Sequence, residues 1–88
     1  MNTVFTFGFK LAELLNQNDA VGLGLLSLAI KDAGKDSQQM GYQDFKDVFQ
    51  NQLKARLKRA NVSNIDQVTD ALLKHLNETQ SLFTMSVR

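Results

Sequence analysis

The chain contains no cysteine and no proline. Without cysteine, disulfides, thiolate zinc sites and a cysteine nucleophile are all excluded. Small secreted domains usually supplement a thin core with disulfides, so the absence points to a cytoplasmic protein. Without proline no helix is broken by force, and long helices are allowed. Histidine occurs once, at position 75. A lone imidazole builds no His-pair metal site, and no spacing offers His75 the hydroxyl and orienting acid that a general base works with. An excess of one charge is also missing. Ten Lys and Arg against nine Asp and Glu leave a formal +1, too little for a field that steers nucleic acid or anionic membrane toward the whole molecule. No apolar run approaches the roughly 20 residues that a membrane-spanning helix needs, and residues 1–11, MNTVFTFGFKL, lack the positive start of a secretory signal. The carboxylates are scattered over polar faces and helix ends rather than paired for acid–base work. Together these absences favour a non-enzymatic chain, with no cofactor, no metal and no membrane association expected.

What is present is a foldable composition. Hydrophobic residues make up 43% of the 88 and charged residues 22%, near the globular average and against wholesale disorder. No repeat or low-complexity linker divides the chain, so residues 1–88 are read as one helical domain. The loudest stretch is residues 20–30, AVGLGLLSLAI, with one hydroxyl and no charge. A helix that is apolar all round is stable only when enclosed. The expectation is therefore an all-α, four-helix domain around a buried helix 19–33. Its walls are helices at 4–16, 42–60 and 64–80, joined by short connections that make sequential helices roughly antiparallel neighbours.

The other segments carry clear helical patterning. Val4, Phe7, Leu11, Leu14 and Leu15 form one stripe, with Thr3 as a candidate N-cap. The same N-terminus also alternates, Phe5, Phe7 and Phe9 against Thr6, Gly8 and Lys10, as a strand does. The alternative fold is thus α+β, with short strands at 3–9 and 82–87 pairing with each other. Asn18 or Asp19 can cap the helix that follows the polar break at 16–19. Gly22 and Gly24 are expected to let another backbone approach closely, and Gly34 to cap the helix C-terminus in the left-handed conformation. Tyr42, Phe45, Val48, Phe49, Leu53, Leu57 and Ala60 make the third stripe. Ser63 with Asp66 resembles a capping box ahead of a fourth stripe of Ile65, Val68, Leu72, Leu76 and Phe83.

Residues 40–45, MGYQDF, resemble the end of an EF-hand calcium loop and the start of its exit helix, with Met40, Asp44 and Phe45 in the apolar, acidic and aromatic places. Carried backward, the first, third and fifth loop positions fall on Ala33, Lys35 and Ser37, and the glycine position on Gln38. Calcium requires oxygen ligands there, so the resemblance implies no metal.

Charge is concentrated only at 54–59. At about 100° per residue, Lys54 and Lys58 share one side of that helix while Arg56 and Arg59 share nearly the opposite one, so the four cannot grip one phosphate backbone together. Arg56, with Gln52 beside it, falls on the apolar stripe of Phe45 and Phe49. An arginine there either snorkels or anchors an interface. Phe5 and Phe9 fall on the flank of the first helix away from its stripe and require a second surface to cover them. The leading functional expectation is a protein–protein interaction or adaptor module, partnered by another protein or by a second copy as a homodimer, through Phe5, Phe9, Gln52 and Arg56. The alternative is a small nucleic-acid-binding or regulatory protein using Lys54, Lys58 and Arg59. A third reading is a carrier for an apolar ligand lying between the 20–30 segment and Phe5 or Phe9.

Overall fold

In a computed structural model, which describes residues 3–80, the chain forms five helices: α1 (Thr3–Leu15), α2 (Asp19–Asp32), α3 (Tyr42–Gln50), α4 (Gln52–Arg59) and α5 (Ile65–Glu78). The all-α class stands: the N-terminal segment is helical as the expected helix 4–16 requires, and the alternative strand at 3–9 does not form. Its leucine-rich half, residues 10–15, carries helix propensity that the preceding Phe and Thr residues join, because Val4 and Phe7 then enter the core beside Leu11. Thr3 is the first helical residue rather than the cap. The partner strand proposed at 82–87, and Phe83 with it, lie outside the described residues.

Three of the connections close by one device. After α1, Asn16 takes φ 56°, its amide donates to Glu13 O at 3.1 Å and the Gln17 amide to Ala12 O at 2.9 Å. After α2, Gly34 takes φ 70°, with Gly34 N–H to Lys31 O at 2.9 Å and Lys35 N–H to Ile30 O at 3.2 Å. After α4, Asn61 takes φ 60°, with Asn61 N–H to Lys58 O and Val62 N–H to Leu57 O, both at 3.1 Å. Each is a Schellman ending, in which a left-handed Gly or Asn turns the chain and satisfies the last carbonyls of the helix. At the other end of the first loop, the Val21 amide donates to Asn18 Oδ1 at 3.0 Å, so Asn18 is the N-cap of α2. The Ser63–Asp66 box does not form: Asn64 precedes α5 and makes no side-chain cap bond.

The helix expected over 42–60 is two. At Asn51 the backbone moves to φ −122°, ψ −83°. The Asn51 amide and its side-chain Nδ2 both donate to Asp47 O, at 3.1 and 2.8 Å, and a side chain competing for helix carbonyls is a known cause of such breaks. The apolar stripe survives the break, since Phe45, Val48 and Phe49 on α3 and Leu53 and Leu57 on α4 are all fully buried.

The centre of the core is aromatic. Phe7 lies 4.8 Å from Phe45 and 5.5 Å from Phe49, centroid to centroid, and Phe45 and Phe49 are 5.8 Å apart. Leu11, Leu26, Ile30, Leu53, Leu57, Leu72 and Leu76 surround them. Thr69 is buried among them and is satisfied within its helix by donating to the Ile65 carbonyl at 3.1 Å. The Tyr42 hydroxyl donates to Asn77 Oδ1 and ties the start of α3 to the end of α5.

The expectation of a wholly buried helix 19–33 is corrected. Only Gly22, Leu26, Ala29 and Ile30 of α2 are buried. Ala20, Gly24 and Ser27 are exposed, as are Val21 and Leu28, while Leu23 and Leu25 are half-buried. A helix is about 10 Å across, and the molecule measures 40 × 25 × 21 Å. That allows two layers of helix across its short dimensions, so α2 presents one side to the core and one to solvent.

Candidate interaction surface

α1 and α2 pack against each other as a close hairpin, and glycine sets the closeness. A Cβ on Gly22 would lie 2.5 Å from the Ala12 nitrogen and closer still to the Gly8 carbonyl oxygen. A Cβ on Gly8 would lie 2.9 Å from Leu23 Cδ1. The two backbones therefore touch along Gly8, Ala12 and Gly22. Gly24 behaves differently from its expected role: a Cβ there meets nothing within 4 Å.

Among the described residues the hairpin carries four exposed large apolar side chains: Phe5 (45%) and Phe9 (46%) on α1, and Val21 (38%) and Leu28 (43%) on α2, with Val21 at the edge of the cleft toward the α4–α5 loop. On α1, Phe5 and Phe9 are one turn apart and stack with ring centroids 5.9 Å apart and planes within 6°. On α2, Ala20 and Gly24 sit between Val21, Leu28 and the α1 seam by helical spacing. Phe5 and Phe9 were identifiable from their phase against the Leu11 stripe. Val21 and Leu28 were missed, because in a segment apolar on all sides nothing in the periodicity distinguishes inside from outside. The different surroundings of Gly22 and Gly24 make that distinction only once α1 is in place.

The remaining candidates lie elsewhere. Arg56 projects from α4 toward the end of α2 and forks onto Asp32, Nε to Oδ2 at 2.6 Å and Nη2 to Oδ1 at 2.9 Å. The guanidinium holds the Asp32 carboxyl below the usual carboxylate range, and the carboxylate in turn raises the Arg56 pKa. Gln52 is the half-buried first residue of α4. These two are not brought together with Phe5 and Phe9, since α4 packs on α2, α3 and α5. The division of the basic cluster expected from helical angles is what the fold gives. Lys54 and Lys58 line one open cleft with the first turn of α5, and Lys54 pairs with Asp66 there at 3.5 Å. Arg56 and Arg59 both act on Asp32.

His75 meets Phe7 edge-on, centroids 5.6 Å apart. It borders a shallow depression with Thr6, Phe9, Lys10, Glu13, Gln17 and Asp19. The EF-hand-like stretch has a structural account: Asp44 Oδ2 accepts the Gly41 amide and its Oδ1 accepts Lys35 Nζ, both at 2.9 Å. The Gly41 bond first and Lys35 second lower the Asp44 pKa, and Asp44 raises that of Lys35. Where a calcium loop would place a ligand, this chain places the lysine that neutralises the helix-capping acid. An open cleft of about 450 Å³ separates the α1–α2 turn from the α4–α5 loop, with Leu14, Leu15, Val21 and Leu25 on the hairpin side and Asn61, Val62, Ser63 and Asn64 on the other.

The fold and this surface define a small all-α domain whose helical hairpin, among the described residues, carries exposed apolar side chains. Compared with protein-family models, curated proteins and solved structures, the chain matches none of them.

Proposed function

We propose that the protein is a non-enzymatic interaction module that docks through the outward face of the α1–α2 hairpin onto another protein surface. The observation that carries this reading is the exposure of Phe5, Phe9, Val21 and Leu28 on two adjacent helices of so small a molecule. Single exposed apolar residues are ordinary, but larger exposed apolar patches mark contact surfaces, and here two exposed phenylalanines stack on each other on α1 while Val21 and Leu28 are exposed on the adjacent α2. Between Asp19 and Lys31, α2 carries no ionisable side chain, so this face offers apolar area rather than reactive groups. Phenylalanine and leucine anchors surrounded by small residues suit a groove or a flat helical face on the partner.

Photo-crosslinking in the native cell tests the reading. A photoreactive phenylalanine analogue at Phe9 or at Leu28 should give discrete protein adducts, and the same analogue at exposed Lys74 on α5 should give none. Equal, diffuse labelling from all three positions would refute the assignment of this face.

A further inference from the structure

We infer that the clefts on the two sides of the α4–α5 loop together bind a free single-chain amphiphile with one negative charge, a medium-chain carboxylate in class. Apart from Val21 at its edge, this site is separate from the hairpin face proposed above for a protein partner. Shape is the first argument. The cleft between the α1–α2 turn and the α4–α5 loop holds about 450 Å³, within the roughly 300–1,000 Å³ usual for small-ligand sites. Leu14, Leu15, Leu25 and Val62 along it are half-buried and pack against the core from one side. The cleft is therefore a gap in the cover of the core, with apolar side chains from α1, α2 and the loop converging on it. Its two ends are turns fixed by left-handed Asn16 and Asn61 and the backbone hydrogen bonds around them.

Charge is the second argument. No residue lining this cleft is charged, and its far wall carries the polar but neutral Asn61, Ser63 and Asn64. Ser63 and Asn64 also line the second cleft, about 640 Å³ in volume, on the other side of the same loop. The charged residues there are Lys54, Lys58 and Asp66. Lys54 pairs with Asp66 at 3.5 Å. Lys58 is exposed and closes no ion pair among the described residues. One unmatched positive charge thus stands across the loop from an apolar cleft that has none. A ligand that uses both has an apolar chain and a single anionic end. A carboxylate matches the one lysine, whereas a more highly charged head would set negative charge beside Asp66 with nothing to meet it.

Amide NMR of the nitrogen-15-labelled full chain, titrated at pH 7 and low salt with sodium octanoate to 10 mM, tests this. So small a ligand in an open cleft should half-saturate at about 1 mM. Shifts should concentrate at Leu14, Leu15, Leu25, Val62 and Lys58. Octanol should move the same apolar positions at least about threefold more weakly, since it lacks the charge that meets an exposed lysine, and should leave Lys58 still. Acetate should move neither set. Lys58→Gln should lower octanoate to the affinity of octanol without changing octanol itself. Val21→Asp should weaken octanoate about tenfold by setting a carboxylate at the cleft. Both variants alter exposed side chains, so helical circular dichroism should be unchanged. Shifts spread over the chain or centred on Phe5 and Phe9, octanol or acetate equal to octanoate, an affinity indifferent to Lys58→Gln, or no response at 10 mM would each overturn the inference. None of these outcomes bears on crosslinking from Phe9 and Leu28, by which the interaction reading is judged separately.

Discussion

Glycine and carboxylate side chains show most directly how single residues matter here. Gly22 and Gly24 are two positions apart in a uniform apolar segment, yet their surroundings are opposite. At Gly22 an added methyl meets the backbone of α1, which cannot swing aside as a side-chain tip can. Gly22→Ala should therefore cost about 3 kcal/mol or unfold the domain, read by urea denaturation. Gly24→Ala meets nothing and should gain about 1 kcal/mol from helix propensity alone. Equal effects at the two sites would mean that the hairpin seam does not pass through Gly22.

The lowered pKa values of Asp32 and Asp44 give a pH dependence with a definite sign. Each carboxyl releases its proton more readily folded than unfolded, so the unfolded chain binds more protons in acid. The contribution is complete above the ordinary carboxyl value, about 4, and is lost as pH falls through the lower folded values. Thermal midpoints taken from pH 6 down to pH 2.5 should fall below about pH 4. The fall should be shallower in an Asp32→Asn, Asp44→Asn double variant that is already weakened at pH 6. Identical profiles would show that neither Arg56 nor the Gly41 amide and Lys35 stabilise the folded carboxylates.

Among the elements, the helices stop where short left-handed residues allow them to. Asn16 and Asn61 hold positive φ that a β-branched residue resists. Asn61→Val should cost about 1–2 kcal/mol, while Asn61→Gly should be neutral or stabilising, as judged by thermal or denaturant midpoints. Equal losses from both would show that the side chain, not the backbone conformation, is what position 61 requires. These endings were legible beforehand as polar breaks at 16–19 and 61–64 and as Gly34, because turn chemistry is local. The break at Asn51 was not. It replaces one helical turn with another, and the stripe from Phe45 to Leu57 runs across it with no change of period. The fork from Arg56 to Asp32 was also out of reach, since the two residues are 24 apart and meet only because α4 lies against the end of α2.

At the scale of the whole molecule, one aromatic cluster joins α1 to α3. Phe7, Phe45 and Phe49 are each fully buried and in mutual ring contact. Truncating Phe49 to alanine should cost about 3–5 kcal/mol, a large share of the stability of a domain this small. Loss of the cooperative thermal transition in Phe49→Ala, with partial recovery in Phe49→Leu, is the expected outcome. A full-height transition shifted by only a few degrees would mean that the core is centred elsewhere. Phe5 and Phe9, on the other side of the same helix, should tolerate alanine with a smaller loss of stability, because each is nearly half exposed and stands outside the buried cluster.

The sequence by itself determined the all-α class, the outer bounds of the helical segments 4–16, 19–33, 42–60 and 64–80 to within a residue or two, the left-handed ending at Gly34, the opposed sides of the basic cluster and the phase that leaves Phe5 and Phe9 off the core stripe. Each follows from interactions within a few positions along the chain or from the angular repeat of a single helix. Only the tertiary structure decided which side of α2 faces inward, and so that Val21 and Leu28 face out rather than in. A segment apolar at every angle is compatible with any orientation about its own axis. Its rotation is set by where another backbone can come closest, and here α1 touches α2 at Gly22.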